Sequence, residues 1–89
     1  MPITTGQIKA ARAILRWKAS DLAEMAKVGV ATIRRIELRD GVPASHEATL
    51  NKVKNAFELA GVDFVGSPET NPGVQLDTKK HQAYLDSLR

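Results

Sequence analysis

At 89 residues, with 43% apolar and 26% charged side chains, the chain has material for one small core. It holds no cysteine, which excludes disulfides, thiolate metal sites and cysteine nucleophiles. No apolar run approaches the roughly 18–20 residues that span a bilayer. The net charge of +3 is unevenly spread: residues 1–39 carry eight Lys/Arg against three Asp/Glu, and residues 40–89 carry five against seven. That asymmetry gives the N-terminal half the charge of a phosphate-facing surface.

The opening MPITTGQ shows no basic stretch followed by an apolar one, so no signal peptide is expected and a cytoplasmic location is. A first helix is predicted over 4–17. Thr4 and Gln7 have capping-box spacing, and Ile8, Ala11 and Leu15 fall on one face. Trp17, the only tryptophan, ends this helix and reads as core. Residues 20–38 read as two short helices joined by a tight turn. Leu22, Ala23 and Ala26 point inward from the first of these, with Ser20 or Asp21 as its cap. Val28 plugs the space between them and Gly29 caps the second. There Ile33 and Ile36 share an inner face, while Val30, Ala31, Arg34 and Arg35 fall largely away from it.

Residues 38–44 read as a loop, with Asp40-Gly41 as a turn signal and Pro43 preventing helix just before it. A further helix is predicted over 45–60, capped by Ser45, striped by Leu50, Val53, Phe57 and Ala60, and stopped by Gly61. The alternating runs 62–65 and 74–76 are predicted to pair as a hairpin, and 78–88 to form a last helix. The two histidines, His46 and His81, have no cysteine or further histidine to complete a ligand set. No metal, cofactor or catalytic role is expected, and the chain does not read as an enzyme.

The string L-A-x-x-A-x-V-x-x-x-T-I-x-x-I-E over 22–37 resembles the helix-turn-helix of the phage-repressor-like (Cro/XRE) DNA-binding family. The likeness extends over 8–64, taking in Ala11-Arg12, Leu15, Gly41-x-Pro43, Thr49-Leu50 and Gly61-Val62-Asp63-Phe64. Lys18, Ala19 and Lys27 depart from it, since the family usually carries Ser, Gln and Gly there. The resemblance implies a compact helical domain, here four helices over 1–61; with the hairpin and the C-terminal helix read from the residue pattern over 62–89, the expected fold is mainly α. It implies a regulator that binds palindromic double-stranded DNA as a homodimer, most simply a repressor.

By that resemblance, Val30, Ala31, Arg34 and Arg35 meet bases. Lys18, Ser20, Lys27, Thr32, Arg39 and Gly41 meet phosphates. Arg12 and Glu37 form a structural ion pair. The apolar groups left after residue 61, namely Phe64, Val65, Val74, Leu76, Tyr84, Leu85 and Leu88, are expected to need cover, from a second subunit in a twofold dimer or, as the rival reading, from the chain's own helical core on which the tail folds back. Two alternatives share the fold. One is an antitoxin that uses residues 62–89 to hold a toxin and represses its own operon. The other is a protein-interaction module that does not bind DNA.

Overall fold

The computed structural model describes residues 2–89. Helix α1 (Thr5–Leu15) opens on a complete capping box: the Thr4 hydroxyl accepts from the Gln7 N–H at 3.1 Å, and the Gln7 side-chain oxygen accepts from the Thr4 N–H at 2.8 Å. It ends two residues before the expected stop. Arg16 takes a left-handed conformation, φ 57°, and the Trp17 N–H turns back to the Arg12 carbonyl at 2.9 Å. Released from the helix, Trp17 stacks on Phe57 with ring centroids 5.7 Å apart.

Helix α2 (Ala19–Ala26) is capped differently from expectation. Lys18 holds the N-cap position, and Asp21 acts from inside the first turn by accepting from the Lys18 N–H at 2.8 Å. Lys27 ends α2 at φ 58°, a conformation that costs a non-glycine residue about 1–2 kcal/mol. Gly29 then caps α3 (Val30–Ile36), as its position in the sequence predicts. Helix α4 (Glu47–Leu59) starts later than the spacing suggested, with His46 rather than Ser45 at its N-cap and no side-chain hydrogen bond there. Strands β1 (Val62–Val65) and β2 (Gly73–Leu76) pair antiparallel with Val62 opposite Leu76, and α5 (Thr78–Ser87) closes the chain.

Helices α1 to α4 each contribute residues of their predicted stripe to one core: Ile8 and Ala11, Leu22, Ala23 and Ala26, Ile33 and Ile36, Val53 and Phe57; α5 contributes no buried residue. The hairpin joins that same core, so most of its apolar groups find cover within the chain, as the folded-back reading of the tail has it. Val62 is fully buried, Phe64 meets Phe57 edge-on at 5.9 Å, and Val74 and Leu76 pack against the buried cluster. A two-stranded hairpin is marginal alone, and α1 supplies the surface it needs. The Gln7 amide donates to the carbonyls of Gly73 at 2.8 Å and Val65 at 3.3 Å. Val65 is half-buried, and Tyr84 packs edge-on to Trp17, at 6.4 Å, with its hydroxyl near the Met25 sulfur. Leu85 and Leu88 alone of the expected set stay exposed. The hairpin after Gly61 thus packs directly on the helices that precede it. No helix among the described residues is long and apolar enough to cross a membrane.

Helix α5 is tied down mainly at its start. The Asp77 carboxylate accepts from the Lys79 and Lys80 N–H groups, both at 3.0 Å, and its own N–H donates to the Gly61 carbonyl at 2.8 Å. The Lys80 N–H, foremost, holds the Asp77 carboxyl below its ordinary value of 3.8. A depressed carboxylate contributes stability that is full above the ordinary value and lost as pH falls through the folded one. Amide exchange in α5 is therefore expected to accelerate relative to α4 as pH drops below 3.8, and Asp77→Asn is expected to blunt that dependence. Equal acceleration in both helices, or an unaltered profile in the variant, would contradict it.

Candidate nucleic-acid interface

Helix α3 has seven residues, about 10 Å of axis. Ile33 and Ile36 are 1% and 5% exposed and fasten its inner face. Ala31, Arg34 and Arg35 face solvent, while Val30 and Thr32 are half-buried, Val30 partly against the core. The outward face of α3 is thus narrower than the spacing alone suggested, and the two arginines dominate it.

The end of α3 is held from behind by α1 at two points. Arg12 donates from Nε and Nη2 to the two carboxylate oxygens of Glu37 at 2.8 and 2.7 Å, and from Nη1 to the Trp17 carbonyl at 3.0 Å. This planar two-pronged bond is the strong form of an ion pair. Foremost, the bond to Glu37 raises the pKa of the Arg12 guanidinium above its ordinary value. One and two turns back along the same side of α1 stand Ile8 and Thr5. The fully buried Thr5 hydroxyl donates to the Ile36 carbonyl at 3.1 Å, and the Thr5 N–H donates to the Gly41 carbonyl at 2.8 Å. The expected Arg12–Glu37 pair is therefore present. Thr5 is the residue that sequence reading missed, because beside Thr4 it looks like a second cap candidate. Its i, i+3, i+7 relation to Ile8 and Arg12 was the available signal.

The expected phosphate-facing residues spread around α3. Lys18 and Ser20 are exposed at the start of α2, Lys27 is exposed in the turn, and Arg39 and Gly41 are exposed in the loop after α3. Gly41 has φ +90° and open space where a Cβ would stand, so backbone conformation alone reserves this position for glycine. Arg35 and Arg39 converge on a cleft of about 450 Å³ walled by Ile36, Leu38, Val42 and Pro43. Neither arginine has an acidic partner, nor do Lys18, Lys27 or Arg34; the ion pairs among the described residues are Arg12–Glu37 and Lys80–Asp63. His46 lies beside Arg35 at the rim of an adjoining cleft.

The arrangement is a short helix anchored from behind and carrying two free guanidiniums, with three more unpaired cations on the flanking segments, at the start of α2, in the turn and in the loop after α3. It can neutralise several phosphates of a polyanion while keeping a fixed orientation for the helix. No family model and no curated protein matches this chain.

Proposed function

We propose that this chain is a sequence-specific DNA-binding regulator of the phage-repressor-like helix-turn-helix type, in which α2, the turn and α3 form the reading unit. The observation that carries the proposal is the pairing of free Arg34 and Arg35 on one side of α3 with the Thr5 and Arg12 anchors on the other. A flexible basic segment neutralises phosphates equally well. Fixing the helix from behind serves a reader that must place side chains to within a base pair.

In this reading α3 enters the major groove, which is about 12 Å wide. Arg35 makes the paired hydrogen bonds to guanine, Ala31 and the exposed edge of Val30 touch thymine methyls, and Arg34 works at the groove margin. Lys18, Lys27 and Arg39, with Ser20, Thr32 and the Gly41 backbone, set the register on phosphates. Two copies occupy a palindromic operator and block transcription by occupying it.

Selection of bound sequences from a random duplex pool tests this. A symmetric consensus is expected, with binding that falls steeply as salt rises. Arg35→Ala is expected to lose about 1–3 kcal/mol of discrimination at one base position per half-site. A uniform loss across all sequences would reduce Arg35 to a phosphate contact. A pool that yields no enriched sequence and no salt-dependent retention would favour the protein-interaction module.

A further inference from the structure

The cleft beside α3 holds more than a phosphate contact needs. Arg35 and Arg39 bring two unpaired guanidiniums to it, and its walls are apolar: Ile36, Leu38, Val42 and Pro43. Leu38 is 79% exposed and Val42 50%, so two large apolar side chains stand in water beside the arginines. Phosphates are held by cations, hydroxyls and backbone N–H groups and gain nothing from such walls. In the DNA-binding reading these walls have no role.

We propose that this cleft binds a small organic monocarboxylate with an apolar body, which lays its hydrocarbon against Leu38 and Val42 and gives its carboxylate to Arg35 and Arg39. The volume, about 450 Å³, lies within the roughly 300–1,000 Å³ of small-molecule sites. A guanidinium takes a carboxylate by two parallel N–H···O bonds, and an apolar wall beside those bonds lowers the competition from water. The charges select a single anionic group. Asp40 lines the same cleft and bonds neither arginine, so two positive charges face one negative. One carboxylate balances the remainder, whereas a phosphate dianion also meets Asp40.

Both walls hang from α1. The Thr5 hydroxyl donates to the Ile36 carbonyl at 3.1 Å, and the Thr5 N–H donates to the Gly41 carbonyl at 2.8 Å. Pro43 adds a fixed φ. The cleft is thus formed before a ligand arrives, and little of the binding energy goes into ordering it. The consequence for DNA rests on the DNA-binding reading, in which Arg35 meets guanine. A guanidinium bonded to a carboxylate has fewer N–H groups left for a base, so the ligand releases the operator and acts as an inducer. Occupation of the cleft itself does not depend on that reading.

Octanoate is the probe, with acetate, octanamide and inorganic phosphate as controls. Backbone amide chemical shifts of the full chain are followed through each titration at constant ionic strength. Octanoate is expected to move the amides over 35–45 and to saturate with a Kd of about 1 mM, ordinary for so small a ligand. Acetate lacks the hydrocarbon, octanamide the charge and phosphate both features, and each is expected to bind at least about tenfold more weakly. Arg39→Gln and Leu38→Ser change exposed side chains, so melting is expected to hold while octanoate weakens by about tenfold in each. Octanoate is also expected to release the duplex selected from the random pool. Leu38→Ser is expected to keep its duplex affinity and to need about tenfold more octanoate for release.

No shift over 35–45 at about 20 mM octanoate, equal binding of octanoate and any control, or full affinity in both variants overturns the site. Octanoate bound in the cleft without effect on the duplex overturns the inducer role. Octanoate bound by a chain that retains no duplex removes the DNA-binding reading and leaves the site standing; a chain that selects a duplex sequence and ignores octanoate does the reverse.

Discussion

Glu37→Ala is expected to lower the melting temperature by on the order of 10–20 °C. Arg12 makes three hydrogen bonds, two of them to Glu37, and the side chains of the pair are 23% and 11% exposed. Removing the carboxylate strands a charge that keeps only part of its surface in water. The cost is about 2–3 kcal/mol, short of the ~3–5 kcal/mol for a fully buried pair because water still reaches Arg12. In a domain of this length each kcal/mol moves the midpoint by roughly 4–8 °C. Replacing both partners by methionine is expected to recover much of the loss, since no charge is then left unpaired. The double variant keeps a folded core but loses one of the two anchors on the end of α3, so under the proposed DNA-binding reading its selectivity among duplexes is expected to suffer more than its stability. A midpoint within about 2 °C of wild type for Glu37→Ala would mean that the pair contributes nothing to the fold.

Gly61→Ala is expected to cost more, about 3–5 kcal/mol, from strain at positive φ and from overpacking. Gly61 has φ +96°, and a Cβ there would stand 2.6 Å from the His81 backbone nitrogen and 2.9 Å from its Cα. Both obstacles are backbone atoms in α5, so no rotamer change relieves them. The helix itself must move, and with it the bonds from the Asp77 N–H to the Gly61 carbonyl and between the His81 ring and the Ala60 carbonyl. Thermal unfolding reads the loss, and Trp17 fluorescence reads the displacement of Tyr84 from its ring. A variant that melts like wild type with the same emission would show that α5 does not press on this turn.

Where the fold was legible, short-range periodicity carried the information. Ile8 with Ala11, Ile33 with Ile36, and Val53 with Phe57 each declare a buried face within two turns of helix. Three features escaped because their causes are not local. Arg16 ends α1 although arginine is a good helix former; Trp17 gains its stack on Phe57, 40 positions away, by leaving the helix. The start of α4 shifted past Ser45 because no local side-chain bond fixes it. The hairpin was visible as two alternating runs, but the carbonyls of Val65 and Gly73 that take the Gln7 NH2 group, which the capping box leaves free, lie 58 and 66 positions away. At the candidate interface, Arg34 and Arg35 were legible because they lie off the isoleucine face. Thr5 was not, because what distinguishes it from Thr4 is a carbonyl 31 residues downstream.

The bond from Gln7 to Gly73 also bears on how the chain is made. Synthesis proceeds from the N-terminus at about 5–20 residues per second, so some 3–13 s separate the appearance of the two residues on the ribosome. Until residue 73 is made, the Gln7 NH2 group lacks this partner. Contacts from the last third of the polypeptide thus complete the environment of the first helix. A chain ended after residue 61 would lack Phe64 over the Phe57 edge and both carbonyl partners of the Gln7 amide.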